Sequence, residues 1–89
     1  MVRVTEIHLV GGSHHEHIHS MRRINPQTGA TGQSTRQEMV DFVTQSPGQA
    51  FESDGVHSVT VGVVDATPKC VRTYADGVWT DNLLALPTY

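Results

Sequence analysis

The sequence predicts an α+β domain in which a small, mostly antiparallel sheet packs against one helix, in the order β-β-α-β-β-β. Three observations carry this expectation. Apolar and polar residues alternate over positions 2–10 and 59–63, the period of a strand with one better-buried face. A capped apolar stripe at helical spacing runs over positions 35–45. Two Asp-Gly pairs, Asp54-Gly55 and Asp76-Gly77, have hairpin-turn chemistry. Eighty-nine residues make a single domain spanning 1–89, with a modest core and little room for a deep cleft.

Taken in order, the first strand puts Ile7 and Leu9 on one face and Glu6 and His8 on the other, and Gly11-Gly12 ends it. Positions 17–24 can be read two ways. As a strand, they set Ile18, Ser20, Arg22 and Ile24 opposite His17, His19, Met21 and Arg23. As a helix, they would start from a Ser13 cap completed by Glu16, with Ile18 and Met21 on one side. The strand is favoured because the helical stripe is thin and Ile18 is β-branched. Asn25-Pro26 closes this segment, and positions 28–32 read as a loop. Ser34 with Gln37 and Thr35 with Glu38 are alternative capping boxes for the helix, whose stripe is Met39, Phe42 and Val43. Ser46-Pro47-Gly48 stops it.

In the second half, Ala50-Phe51-Glu52 leads into Asp54-Gly55, and Val59, Val61 and Val63 alternate with polar or small residues. Pro68-Lys69 marks a turn, and positions 71–75 and 78–80 flank Asp76-Gly77 as a hairpin. Leu83, Leu84 and Leu86 give the tail enough apolar surface to dock on the core.

The formal charge is −3 with neutral histidines, which gives no global electrostatic case for nucleic acid. Protonating the six histidines would bring the charge to about +3 near a histidine pKa of about 6.5, so association should respond to pH. Cys70 is the only cysteine and allows no internal disulfide, which fits a reducing cytoplasm. No leader-like start and no run of roughly twenty apolar residues is present, so the chain is expected to be soluble, unprocessed and free of the membrane.

The stretch "GGSHHEHIHSM" contains His15-Glu16-His17-Ile18-His19, which spells the H-E-x-x-H of zinc proteases. That chemistry needs a helix, where both histidines reach one ion. On a strand His15 and His19 would lie about 13 Å apart at the usual rise, too far for one zinc. His17 and His19, about 6.5 Å apart on one strand face, could instead share a zinc with His8 or His15.

Four stretches, "GGSHHEHIHSMR", "STRQEMVDFV", "PKCVRTYADG" and "WTDNLLALP", occur in this order over nearly the whole chain. On them the chain resembles the bacterial family of small proteins known as DUF3892. The resemblance implies a stand-alone α+β protein and an alternating segment after "HEHI", and it brings no activity or catalytic residues.

Further candidates come from the residues themselves. Gly11 and Gly12 could form an anion-binding nest of backbone N–H groups, although a turn explains them as well. Arg22, Arg23, Arg36 and Arg72 could gather with Lys69 into a basic patch, with Tyr74 and Trp79 as stacking surfaces for nucleic acid. The plainer reading has Arg22 and Arg23 on opposite faces of a strand, one of them paired with a carboxylate. Cys70 as a nucleophile would need His57 held against it, and nothing in the sequence brings the two together. Trp79 is first expected in the core; exposed, it and Tyr74 become the best anchors for a protein partner. The leading expectation is a non-enzymatic binding or adaptor module. The alternatives are a metal-binding protein or small enzyme using His8, His15, His17 and His19, and a weak nucleic-acid binder.

Overall fold

The structure, a computed structural model, describes residues 1–53, 57–66 and 69–89. The expected turns at Asp54-Gly55 and Pro68 therefore lie outside the described residues.

The chain runs β1 (Val2–Leu9), a 3-10 turn (His15–His17), β2 (Ile18–Ile24), β3 (Thr31–Thr35), α1 (Arg36–Gln45), β4 (Ala50–Ser53), β5 (Ser58–Val64), β6 (Cys70–Ala75), β7 (Val78–Thr80) and a second 3-10 turn (Asn82–Ala85). All seven strands lie in one sheet in the order β3-β2-β1-β4-β5-β6-β7, antiparallel except for the parallel pair β1–β4. One helix covers it. The mostly antiparallel sheet is as expected, but the fold is richer in sheet, with two strands more than β-β-α-β-β-β.

The first extra strand, β3, takes over the last two residues of the expected loop at 28–32 and runs on to the helix. Its residues are polar because it is an edge strand with little to bury; only Ser34 is buried, opposite Met21 and accepting a 2.7 Å hydrogen bond from Arg23 Nε. The second, β4, is four residues long and slots in parallel beside the start of β1 at Val2 and Arg3.

Of the two capping boxes, Thr35 with Glu38 forms. Thr35 Oγ1 accepts from the Glu38 N–H at 3.2 Å, and Glu38 accepts from the Thr35 N–H at 2.9 Å. The Thr35 N–H, and after it the Thr35 side chain, hold the Glu38 carboxyl below its ordinary value. The helix lays Met39, Val40 and Val43 against β2, β3, β5 and β6, over a core of Val4, Ile7, Ile18, Met21, Val61 and Val71. Asp76 and Gly77, at φ 52° and 80°, make the expected tight hairpin between β6 and β7.

Two bulges change which residues share a face. Val4 pairs with Arg23 and Glu6 with Arg22, so Thr5 is an extra residue on β1 and Val4 joins Ile7 in the core. His8 pairs with Ser20 and Leu9 with Ile18, so His19 is an extra residue on β2.

The chain after β7 returns across the fold. Leu83 is fully buried, and Leu84 and Leu86 pack against the core, as the apolar tail predicted. Pro87 and Tyr89 then bond the main chain of Ile7, and Thr88 bridges Ile7 in parallel, on the side of β1 that β4 leaves open beyond Arg3. No helix among the described residues is long and apolar enough to cross a membrane.

Candidate functional site

The histidine stretch divides between two elements. His15, Glu16 and His17 form the 3-10 turn, and the strand starts only at Ile18. His17 and His19 therefore do not share a strand face, contrary to the expectation. The Gly-Gly turn and the His14–His17 bond close the chain into that short turn before pairing begins.

His17 lies flat against Gly12, where an added Cβ would sit 2.5 Å from the ring, and its Nδ1 accepts the His14 N–H at 3.1 Å. This contact gives the glycine at position 12 a packing role. His15 points toward β6. Its side chain is 11% exposed, with Nε2 3.9 Å from Asp81 and no hydrogen bond. Burial, then the Arg72 charge, push its pKa below 6.5, against a pull upward from Asp81. His19 is exposed on the face opposite the helix, where its ring meets that of His8 edge-on at 6.0 Å. Among the described residues, no group of three or more His, Cys, Asp or Glu side chains comes together as a metal set. His17 and His19 do line one shallow cleft of 310 Å³ with Glu16 and Arg36, entering it from different elements.

The arginines are engaged separately. Arg22 pairs with Glu6 at 3.4 Å and lies over the Tyr89 ring at 4.2 Å. Arg72 holds Asp81 at 2.6 Å and the Thr80 carbonyl at 3.0 Å. Arg36 donates to the Glu16 carbonyl at 2.5 Å. Of the adjacent pair, Arg22 meets a carboxylate, Glu6, and Arg23 bonds the Ser34 hydroxyl. Cys70 is buried beside Val64, and that burial pushes its thiol pKa up. His57 precedes Ser58 at the opposite end of β5, roughly 20 Å away at the strand rise, so the two form no nucleophile–base pair.

Trp79 departs from its first expectation. It is 38% exposed and Tyr74 42%, the two rings meeting edge-on at 5.1 Å across the β6–β7 pair. The indole lies over Gly62, where an added Cβ would meet it at 3.2 Å. Together these rings form one wall of a groove of 440 Å³ whose other wall is Val43, Thr44 and Pro47. The floor is β5. Among the described residues, β5 pairs on its β4 side only from Ser58 to Thr60, whereas its pairing with β6 runs on to Val64. The groove thus follows a length of strand paired on one side only. Among the described residues, no acidic, basic, imidazole or thiol side chain lines it.

Residues 3–87 match the profile of a family described as a protein of unknown function, DUF3892. The chain belongs to the DUF3892 family. The match takes in the helix, the strands from Arg3 onward and the tail as far as Pro87, so the groove lies within the DUF3892 region and the histidine face does too, except for Thr88 and Tyr89. No curated protein and no solved structure matches the chain.

Sequence reasoning missed Tyr89 and Ser20. Tyr89 Oη and Ser20 Oγ are 3.0 Å apart, and the Tyr89 main-chain oxygen accepts a hydrogen bond from His8 Nδ1. Neither residue carries a local signal, because their meeting depends on the tail crossing back to β1.

Proposed function

We propose that the protein is a non-enzymatic binding module, whose groove beside β5 takes up an extended, uncharged, apolar segment of a protein partner. The observation that carries this reading is a single-sided strand edge at Val61–Val64 beside an apolar wall headed by Trp79 and Tyr74. An unpaired strand edge offers N–H and C=O groups to an incoming strand, and alternate side chains of that strand enter flanking pockets. Four strand residues span about 13 Å, which places two side chains on the groove side. Aromatic anchors dominate the energetics of such contacts. The absence of acidic, basic and imidazole side chains from the lining, among the described residues, favours an uncharged segment over a basic or acidic one. A lone buried cysteine supports a cytoplasmic setting for this module.

Selection from a random peptide display library against untagged protein, followed by calorimetry, tests the proposal. The selected peptides are expected to be uncharged and apolar at alternate positions. Trp79→Ala should weaken them about thirtyfold, the equivalent of a hot spot of about 2 kcal/mol. A charged consensus, or affinities that Trp79→Ala leaves within about twofold, would remove the reading.

A further inference from the structure

We infer that His8 and His19 form a two-imidazole site for a divalent transition-metal ion of the zinc, nickel or copper(II) class, with water or a ligand from another molecule completing the shell. This site lies on the face of β1–β2 opposite the helix and is independent of the groove reading.

The first support is geometric. His8 stands on β1 opposite Ser20, and His19 is the bulged residue next to Ser20 on β2. The bulge brings the two rings within 6.0 Å, at 86° to one another. Two imidazoles bound to one ion at about 2.1 Å per bond can have ring centroids at most roughly 6.5 Å apart. Without the extra residue, strict alternation would point His19 to the opposite side of the sheet from Ser20.

The second support is the tautomer. The partner of His8 Nδ1 is a main-chain oxygen, which can only accept, so Nδ1 carries the proton and the Nε2 lone pair of the neutral ring is free. Metal-bound histidines are usually held in this way, with the second nitrogen donating to a carbonyl or carboxylate oxygen. His19 makes no hydrogen bond among the described residues and is exposed, so its ring can turn toward the same point. Imidazole nitrogens suit zinc, nickel and copper(II) better than calcium or magnesium.

The same reasoning sets the other histidines apart. His14 and His17 have rings 5.7 Å apart, but the His17 Nδ1 lone pair is occupied by the His14 N–H, leaving the proton on Nε2. His15 Nε2 is buried against Asp81 and Arg72 on the β6 side. Near the proposed site, Arg22 is the adjacent cation, and its charge is countered by Glu6.

Calorimetric titration of untagged protein with zinc, nickel and copper(II) salts, one at a time at about pH 7.5, is the test, since neutral imidazole is the ligand form. The expected result is one ion per chain, with affinity falling at least about tenfold in His8→Ala and in His19→Ala, and unchanged in His14→Ala and His17→Ala. In the unmodified protein, the imidazole nitrogen signals of His8 and His19 should move on zinc addition while those of His17 stay. No saturable binding of any of the three ions would overturn the inference. Binding that survives the His8→Ala/His19→Ala double substitution, or that is lost with His17→Ala, would do the same.

Discussion

His15 is where residue-level electrostatics makes the sharpest prediction. Its pKa is held below 6.5 by burial and by Arg72, so between that lowered value and 6.5 the unfolded chain binds more protons than the folded one. The stability this neutral ring contributes is complete above about pH 6.5 and is lost as pH falls toward the lowered value. Urea unfolding midpoints should therefore drop between about pH 7.5 and 5.5, and His15→Gln should flatten part of that slope. An unchanged slope in the variant would show that His15 does not titrate in this way. Thr35 makes a second prediction. Its hydroxyl caps the helix through the Glu38 N–H, so Thr35→Ala should cost about 1 kcal/mol in denaturant unfolding, whereas Ser34→Ala should leave that cap in place. The sequence offered both residues as caps. The Ser34 hydroxyl is taken by Arg23, whereas the Thr35 hydroxyl, at the last residue of β3, meets the Glu38 N–H.

Among the elements, those with strong local signals were legible. The capped helix, the alternating valines of β5 and the Asp76-Gly77 hairpin all form where their residues predict. β3 and β4 were not legible as strands, for physical reasons. An edge strand such as β3 buries little and so carries no apolar alternation, and β4 is too short for a period to be seen and has a buried glutamate, Glu52, in its middle. Bulges also defeat a period-two reading, because one extra residue moves a side chain to the other face. This is why Val4 joins Ile7 and why His19 meets His8, while His17 stays in the 3-10 turn before the strand. The second 3-10 turn is the element through which the tail reaches the core. Leu83→Ala should destabilise the fold by about 2 to 5 kcal/mol, read from chemical denaturation, since Leu83 is fully buried in the main cluster. A loss below about 0.5 kcal/mol, the range of surface substitutions, would mean the turn does not anchor the fold.

At the scale of the whole molecule, the returning tail and the one-sided stretch of β5 make opposite uses of a strand edge. Residues 87–89 occupy the free side of β1 at Ile7, whereas no strand of the chain pairs with Val61–Val64 on the β4 side among the described residues. Little of this was visible in the sequence. Trp79 and Tyr74 were named as anchors only if exposed, and their exposure depends on β7 lying at the sheet edge. The groove itself combines residues from α1, the turn after it, β5, β6 and β7, which no local pattern links. The central claim is that a partner segment adds to the β5 edge. Amide hydrogen exchange, read residue by residue with and without a selected apolar peptide, tests it most directly. The account predicts that the peptide slows exchange at alternate amides within Val61–Val64 and shifts the indole signal of Trp79. Unchanged exchange along β5, with the peptide's effects falling on the His8 and Tyr89 face instead, would contradict it.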